Sequence, residues 1–104
     1  MAFPVVEATN ESSTPTASTT HIVNLPASIA AGDLLLILSN HGVVVATFSP
    51  LAGWTELVDE NVANGNTIWY RWADGTEGAT VTFTSSAATR DASISYRISG
   101  AENP

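Results

Sequence analysis

The stretch Ala92-Ser93-Ile94-Ser95-Tyr96-Arg97-Ile98 decides the fold. Its apolar residues recur at every second position, the repeat of a β-strand, in which successive side chains leave the backbone on opposite sides. Ala92, Ile94, Tyr96 and Ile98 are therefore expected to face a core, and Ser93, Ser95 and Arg97 to face water. Ala79-Thr80-Val81-Thr82-Phe83-Thr84 repeats the arrangement, with Ala79, Val81 and Phe83 inward and three threonines on the wet side. Two one-sided stripes need a second layer to cover them.

Outward from these stretches, segments rich in β-branched and aromatic residues predict further strands at 5–9, 21–25, 33–40, 43–48, 54–58 and 67–73. Leu34-Leu35-Leu36-Ile37-Leu38 is apolar at every position, as in a central strand covered on both faces or lying beside a subunit contact. Five residues between Ala31-Gly32-Asp33 and Asn40-His41-Gly42 are too few for a helix. Turn signals also fall at Ala52-Gly53, Asn64-Gly65-Asn66 and Asp74-Gly75, and Asn64-Gly65 is the best hairpin signal in the chain. The Ser/Thr-rich stretch 10–20 reads as a long polar loop or an extended edge segment, and 85–90 as a shorter loop of the same character. These readings predict an all-β fold, a two-layer antiparallel β-sandwich of jelly-roll or immunoglobulin-like kind with about eight strands. It forms a single domain over 1–104, with 101–104 as the possible start of a linker.

Composition narrows the function. The chain has 104 residues, room for one core. Ten acidic residues face three arginines and no lysine, for a net charge of −7, so the basic footprint that nucleic acid or an anionic membrane requires is missing. With no cysteine there is neither a disulfide framework nor a thiolate metal site. The opening residues carry no basic n-region, and the longest apolar run is far short of the roughly 20 residues of a membrane span. The expectation is a soluble protein made without a secretion signal.

Candidate chemistry is sparse. His21 and His41 are the only histidines and no Gly-x-Ser-x-Gly elbow occurs, so ordinary surface roles are expected of both. Asp59-Glu60, Asp74 and Glu77 lie beside turn signals, where carboxylates cap amides; calcium at Asp74-Gly75-Thr76-Glu77 is the lesser alternative, because the EF-hand ladder is absent. No catalytic residue, cofactor or metal is assigned. The aromatic set Trp54, Trp69, Tyr70 and Trp72 stands out: alternation sends Ile68, Tyr70 and Trp72 to one side and Trp69 and Arg71 to the other. One group fills the core, and the other is a stacking platform for sugar, a subunit contact, or a ring shielded by Arg71. Trp69, Arg71, Trp54, Asn64 and Asn66 are the candidate binding residues.

The succession Ile22-Val23-Asn24-Leu25-Pro26, Ala31-Gly32-Asp33-Leu34-Leu35-Leu36, Gly53-Trp54-Thr55-Glu56-Leu57, Trp69-Tyr70-Arg71-Trp72-Ala73-Asp74-Gly75 and Ala79-Thr80-Val81-Thr82-Phe83-Thr84 resembles a β-sandwich domain that recurs in tailed-bacteriophage structural proteins, over roughly residues 3–100. The resemblance implies a non-enzymatic virion component, made in the host cytoplasm and carried on the outer surface of the capsid or on the tail. It would be a head decoration (cement or head fibre) protein bound to the major capsid protein, or a tail-fibre or adhesin module bound to host carbohydrate. Homo-oligomers, trimers among them, are expected, with the contact on the 34–38 or Trp69 strand and residues 1–9 as an arm that adds a strand to a neighbour.

Overall fold

The computed structural model describes residues 3–42, 47–49, 51–59 and 64–101. Its strands are β1 (Val5–Asn24), β2 (Leu34–His41), β3 (Thr55–Asp59), β4 (Asn66–Trp72) and β5 (Thr80–Ser99). They form one sheet in the order β1-β5-β2-β4-β3, and every neighbouring pair is antiparallel. The all-β expectation holds; among the described residues the strands number five, against about eight expected. Residues 10–20 take the extended-edge alternative and 85–90, expected as a loop, are extended too, which fuses the short predicted strands into β1 and β5 of 20 residues each. Their Ser and Thr side chains are matched across the ladder, Ser12 opposite Ser93, Thr14 opposite Asp91, Ser18 opposite Thr89 and Thr20 opposite Thr84. Polar threonines suit a strand as well as a loop, because the branched Cβ fits a pleated surface. The expected strand at 43–48 falls for the most part outside the described residues; within them, Phe48 bridges Ser85. The hairpin expected at Asn64-Gly65 joins the antiparallel pair β3 and β4, and Asn64 takes a positive φ of 55° there. Residues 102–104, part of the expected linker, also lie outside the described residues.

The β1–β5 ribbon doubles back on itself. Asn10 Nδ2 donates to Leu25 O at 3.1 Å, across fifteen residues that would span about 50 Å in a straight strand. The Asn24 amide donates to Ser12 Oγ at 2.6 Å, and Ser95 Oγ donates to Asn24 O at 2.6 Å. Register shifts between Thr14 and Ser18 and between Ser18 and Thr20 mark the bend, since an extra residue in one strand kinks a ladder. The far half of the ribbon is thereby laid over β2 and β4. Val23, Leu25 and Phe83 from the far half meet Ile37 of β2, Trp69 of β4, and Phe48 and Leu51 from the connection, in one core. Phe83 lies at the centre, its ring 4.9 Å from that of Trp69, 5.0 Å from His21 and 5.4 Å from Phe48. In place of the expected eight-strand sandwich, the described residues form five strands in one sheet folded over.

The orientation of the final strand is the reverse of the sequence expectation. Asp91, Ser93 and Ser95 are buried, whereas Ala92 is exposed and Ile94, Tyr96 and Ile98 are half-buried on the opposite face. Register explains this. Residues directly paired in an antiparallel sheet project to the same side, and Ser95 and Trp69 both pair with Ile37. Once Ile37 and Trp69 enter the core, both at 0% exposure, Ser95 goes with them. The buried serine hydroxyls on this face are satisfied: Ser39 donates to Asp91, Ser93 donates to Asp91 at 3.0 Å, and Ser95 reaches Asn24 O. Leu35 and Ile37 of the 34–38 run are buried and Leu34, Leu36 and Leu38 half-buried, on a strand that is central as expected.

Candidate interaction surface

β2, β4 and β5 each carry a second apolar stripe on the face that turns away from the core. Pairing aligns the stripes into three rows: Ile98, Leu34 and Trp72; Tyr96, Leu36 and Tyr70; Ile94, Leu38 and Ile68. All nine side chains are half-buried and reach solvent. Val6, opposite Ile98, and Val58, opposite Ile68, extend the first and third rows to the edge strands and are themselves exposed. The core-facing side chains of the same three strands are more polar: against Leu35, Ile37 and Trp69 stand Ser39, Thr67, Arg71, Ser93, Ser95 and Arg97. At the Leu38 end lies an open depression of about 1070 Å3, in which Leu38, Val58, Ile68 and Ile94 are bordered by polar side chains, Glu11 and Asn24 among them. Glu11, opposite Ile94 on the β1 edge, is the charged residue among these rows.

The five residues expected to bind a ligand are not gathered into one site. Trp69 is enclosed at 0% exposure and presents no face to a ligand. Trp54 packs partly buried against the core. Arg71 is held in a local network: its Nε donates to Glu77 Oε2 at 2.7 Å, Nη2 to Asp74 Oδ2 at 3.1 Å and Nη1 to Gly53 O at 3.4 Å. Asn64 and Asn66 sit at the other end of β4, where Asn40 Nδ2 donates to Asn64 O at 3.2 Å and to Asn66 Oδ1 at 3.1 Å. From Asn66 to Arg71 is about 17 Å along the strand. The residues that form the coherent surface, Leu36, Tyr70, Trp72 and Tyr96 foremost, were not singled out as a binding set by sequence reasoning. Their signal was the two-sided apolar character of 34–38 and of Ile68-Trp69-Tyr70.

The titratable groups are structural. His21 and His41, expected at the surface, are 0% and 1% exposed. His21 shares hydrogen bonds with Ser85 Oγ at 2.9 Å and Thr14 Oγ1 at 3.4 Å and stacks on Phe83. Burial lowers its pKa, the Asp91 carboxylate works against that, and His41 adds to it. Neither imidazole can meet a substrate from the surface. The segment weighed for calcium is instead folded around Arg71. Glu77, its side chain 2% exposed, also accepts from the Asp74 and Gly75 amides at 2.9 and 3.0 Å. Hydrogen bonds from the Thr76 hydroxyl and amide, with help from Glu77 and Arg71, hold the Asp74 carboxyl down at about 2. Among the described residues no group of three or more His, Cys, Asp or Glu could hold a metal ion. Residues 5–9, weighed as an arm for a neighbour, pair instead with β5 of the same chain, Val5 opposite Ser99 and Thr9 opposite Tyr96.

No protein-family model matches the sequence, and no curated protein matches it. Among solved structures, the chain is similar to the tripod (BppUct-A-L) from the baseplate of bacteriophage Tuc2009, at 13% identity and a TM-score of 0.48 over 86% of this chain. It spans 64% of the length of that chain.

Proposed function

We propose that this chain is a non-enzymatic structural protein of a tailed-phage virion, and that it decorates the capsid by binding the major capsid protein. The observation that carries the reading as an assembly component is the outer face of β2, β4 and β5, whose nine aligned side chains, seven apolar and two tyrosines, all reach solvent. A contiguous patch of that kind on a small domain marks a protein–protein contact rather than a surface meant to stay in water. The motif succession that resembles phage structural domains supplies the setting. Function then follows from assembly: a rigid folded sheet is repeated over a symmetric lattice, and many modest contacts add by avidity to hold neighbouring subunits together. The net charge of −7 keeps the free protein soluble until it docks. The alternative of a carbohydrate-binding tail-fibre module loses Trp69 as its stacking ring, since the indole lies inside the core.

The test is to add purified protein to capsids prepared without it. Saturable binding at a fixed ratio to the major capsid protein, with a higher rupture temperature, is the expected result. Heads that neither bind the protein nor gain stability from it would reject the decoration reading.

A further inference from the structure

We infer that the outer face centred on Leu36 is covered by a second copy of this chain. The inference rests on reading that face as an assembly contact, and it names the occupant. The molecule places its more apolar side outward: of the nine outer side chains of the three rows seven are apolar and two are tyrosines, against Leu35, Ile37 and Trp69 alone among the nine behind them. Hydrophobic burial drives folding and association alike, so this distribution is favourable only when the outer side is also covered.

Size, charge and shape favour a copy of the same chain. Five strands about 4.8 Å apart and three rows about 6.8 Å apart make a face of roughly 24 by 20 Å, or about 490 Å2 in plan. Side-chain relief raises the accessible area above that figure, into the range of the roughly 600–800 Å2 that each partner contributes to a stable complex. Two copies carry −7 each and repel at long range. The three rows themselves hold no charge, and Glu11 lies at their rim, so the carboxylates remain in water when two such faces meet. An uncharged apolar surface is its own complement, whereas selective contact with a foreign protein generally uses matched charges. Shape agrees with a two-fold pairing, in which residue i meets j and j meets i. Turning one copy end for end brings the bulky row of Ile98, Leu34 and Trp72 over the depression at Leu38, Ile68 and Ile94 of the other. The Leu36 rows then meet at the axis.

Sedimentation equilibrium on the purified full chain tests this. The expected mass at micromolar concentration is a multiple of 10.8 kDa. Leu36→Glu, which sets a charge at the centre of the contact, should weaken association at least ~100-fold while retaining a β-sheet circular dichroism spectrum. Val58→Glu, at a side chain already exposed in the monomer, serves as a second probe should the first variant fail to fold, and should also weaken association. Ile22→Glu, on the exposed side of the other layer, should leave it unchanged. Wild-type protein that remains monomeric to about 100 µM, or folded variants that associate as well as wild type, would overturn the inference. A monomer whose binding to capsids is abolished by Leu36→Glu would assign the face to the capsid protein and leave the decoration reading intact. An oligomer that ignores capsids would do the opposite.

Discussion

Replacing Trp69 by alanine separates the core from the outer face most sharply. The indole is fully enclosed, lies 4.9 Å from the ring of Phe83 and belongs to the same core cluster as Ile37 and Val23. Truncating a buried aromatic costs about 3–5 kcal/mol, for lost transfer energy and for the cavity left behind. One term lowers the figure. Trp69 Nε1 is buried without a hydrogen-bond partner among the described residues, and removing such an N–H relieves a penalty of about 1–3 kcal/mol. The net expectation is about 2 kcal/mol, a sizeable share of the roughly 5–15 kcal/mol that a domain of this length has in total. With about 4–8 °C per kcal/mol at this size, the melting temperature should fall by roughly 8–16 °C. Trp69→Phe keeps most of the apolar volume and removes the unpaired donor, so its loss should stay near 1 kcal/mol. Both numbers are read from urea and thermal unfolding at one fixed protein concentration, because self-association alone moves the midpoint. If Trp69→Ala loses less than 1 kcal/mol, the ring is not the keystone of this core and the assignment of faces on β4 is wrong.

Two further outcomes follow from buried polar contacts. Burial lowers the pKa of folded His21, so the unfolded chain takes up the proton first; the stability this residue contributes is complete above about pH 6.5 and declines as pH falls through that value toward the lowered folded one, at up to about 1.4 kcal/mol per pH unit. Melting temperatures from pH 8 to 5 should show that decline and a shallower one in His21→Gln, and equal slopes would refute the role given to His21. Gly53 has φ +83°, and a Cβ there would stand 2.3 Å from Arg71 Nη1. Gly53→Ala should therefore cost about 1–2 kcal/mol through backbone strain and displacement of the guanidinium from Gly53 O, and an unchanged urea midpoint would count against the Arg71 network.

Alternation along Ala79–Phe83 and along 92–98, the turn signals, and the lack of any segment with helical period were enough to specify strands, antiparallel connections and the absence of helices, because these are properties of the local backbone. The apolar run 34–38 likewise announced a central strand. Which side of each strand meets the core was not local. Ser93, Ser95 and Asp91 go inward because their register with Ile37, Ser39 and His41 ties them to the face that Trp69 occupies, and because neighbours satisfy their polar atoms. In the same way, 85–90 reads as a loop and 10–20 as a loop or an extended edge segment in isolation, and both become strand within the β1–β5 ribbon, where 10–14 pair with 91–95 and Ser18 with Thr89. A period of two tells which residues share a side and is silent on which side is inside; that choice belongs to long-range pairing, and here it turns the more apolar stripe of β2, β4 and β5 toward solvent.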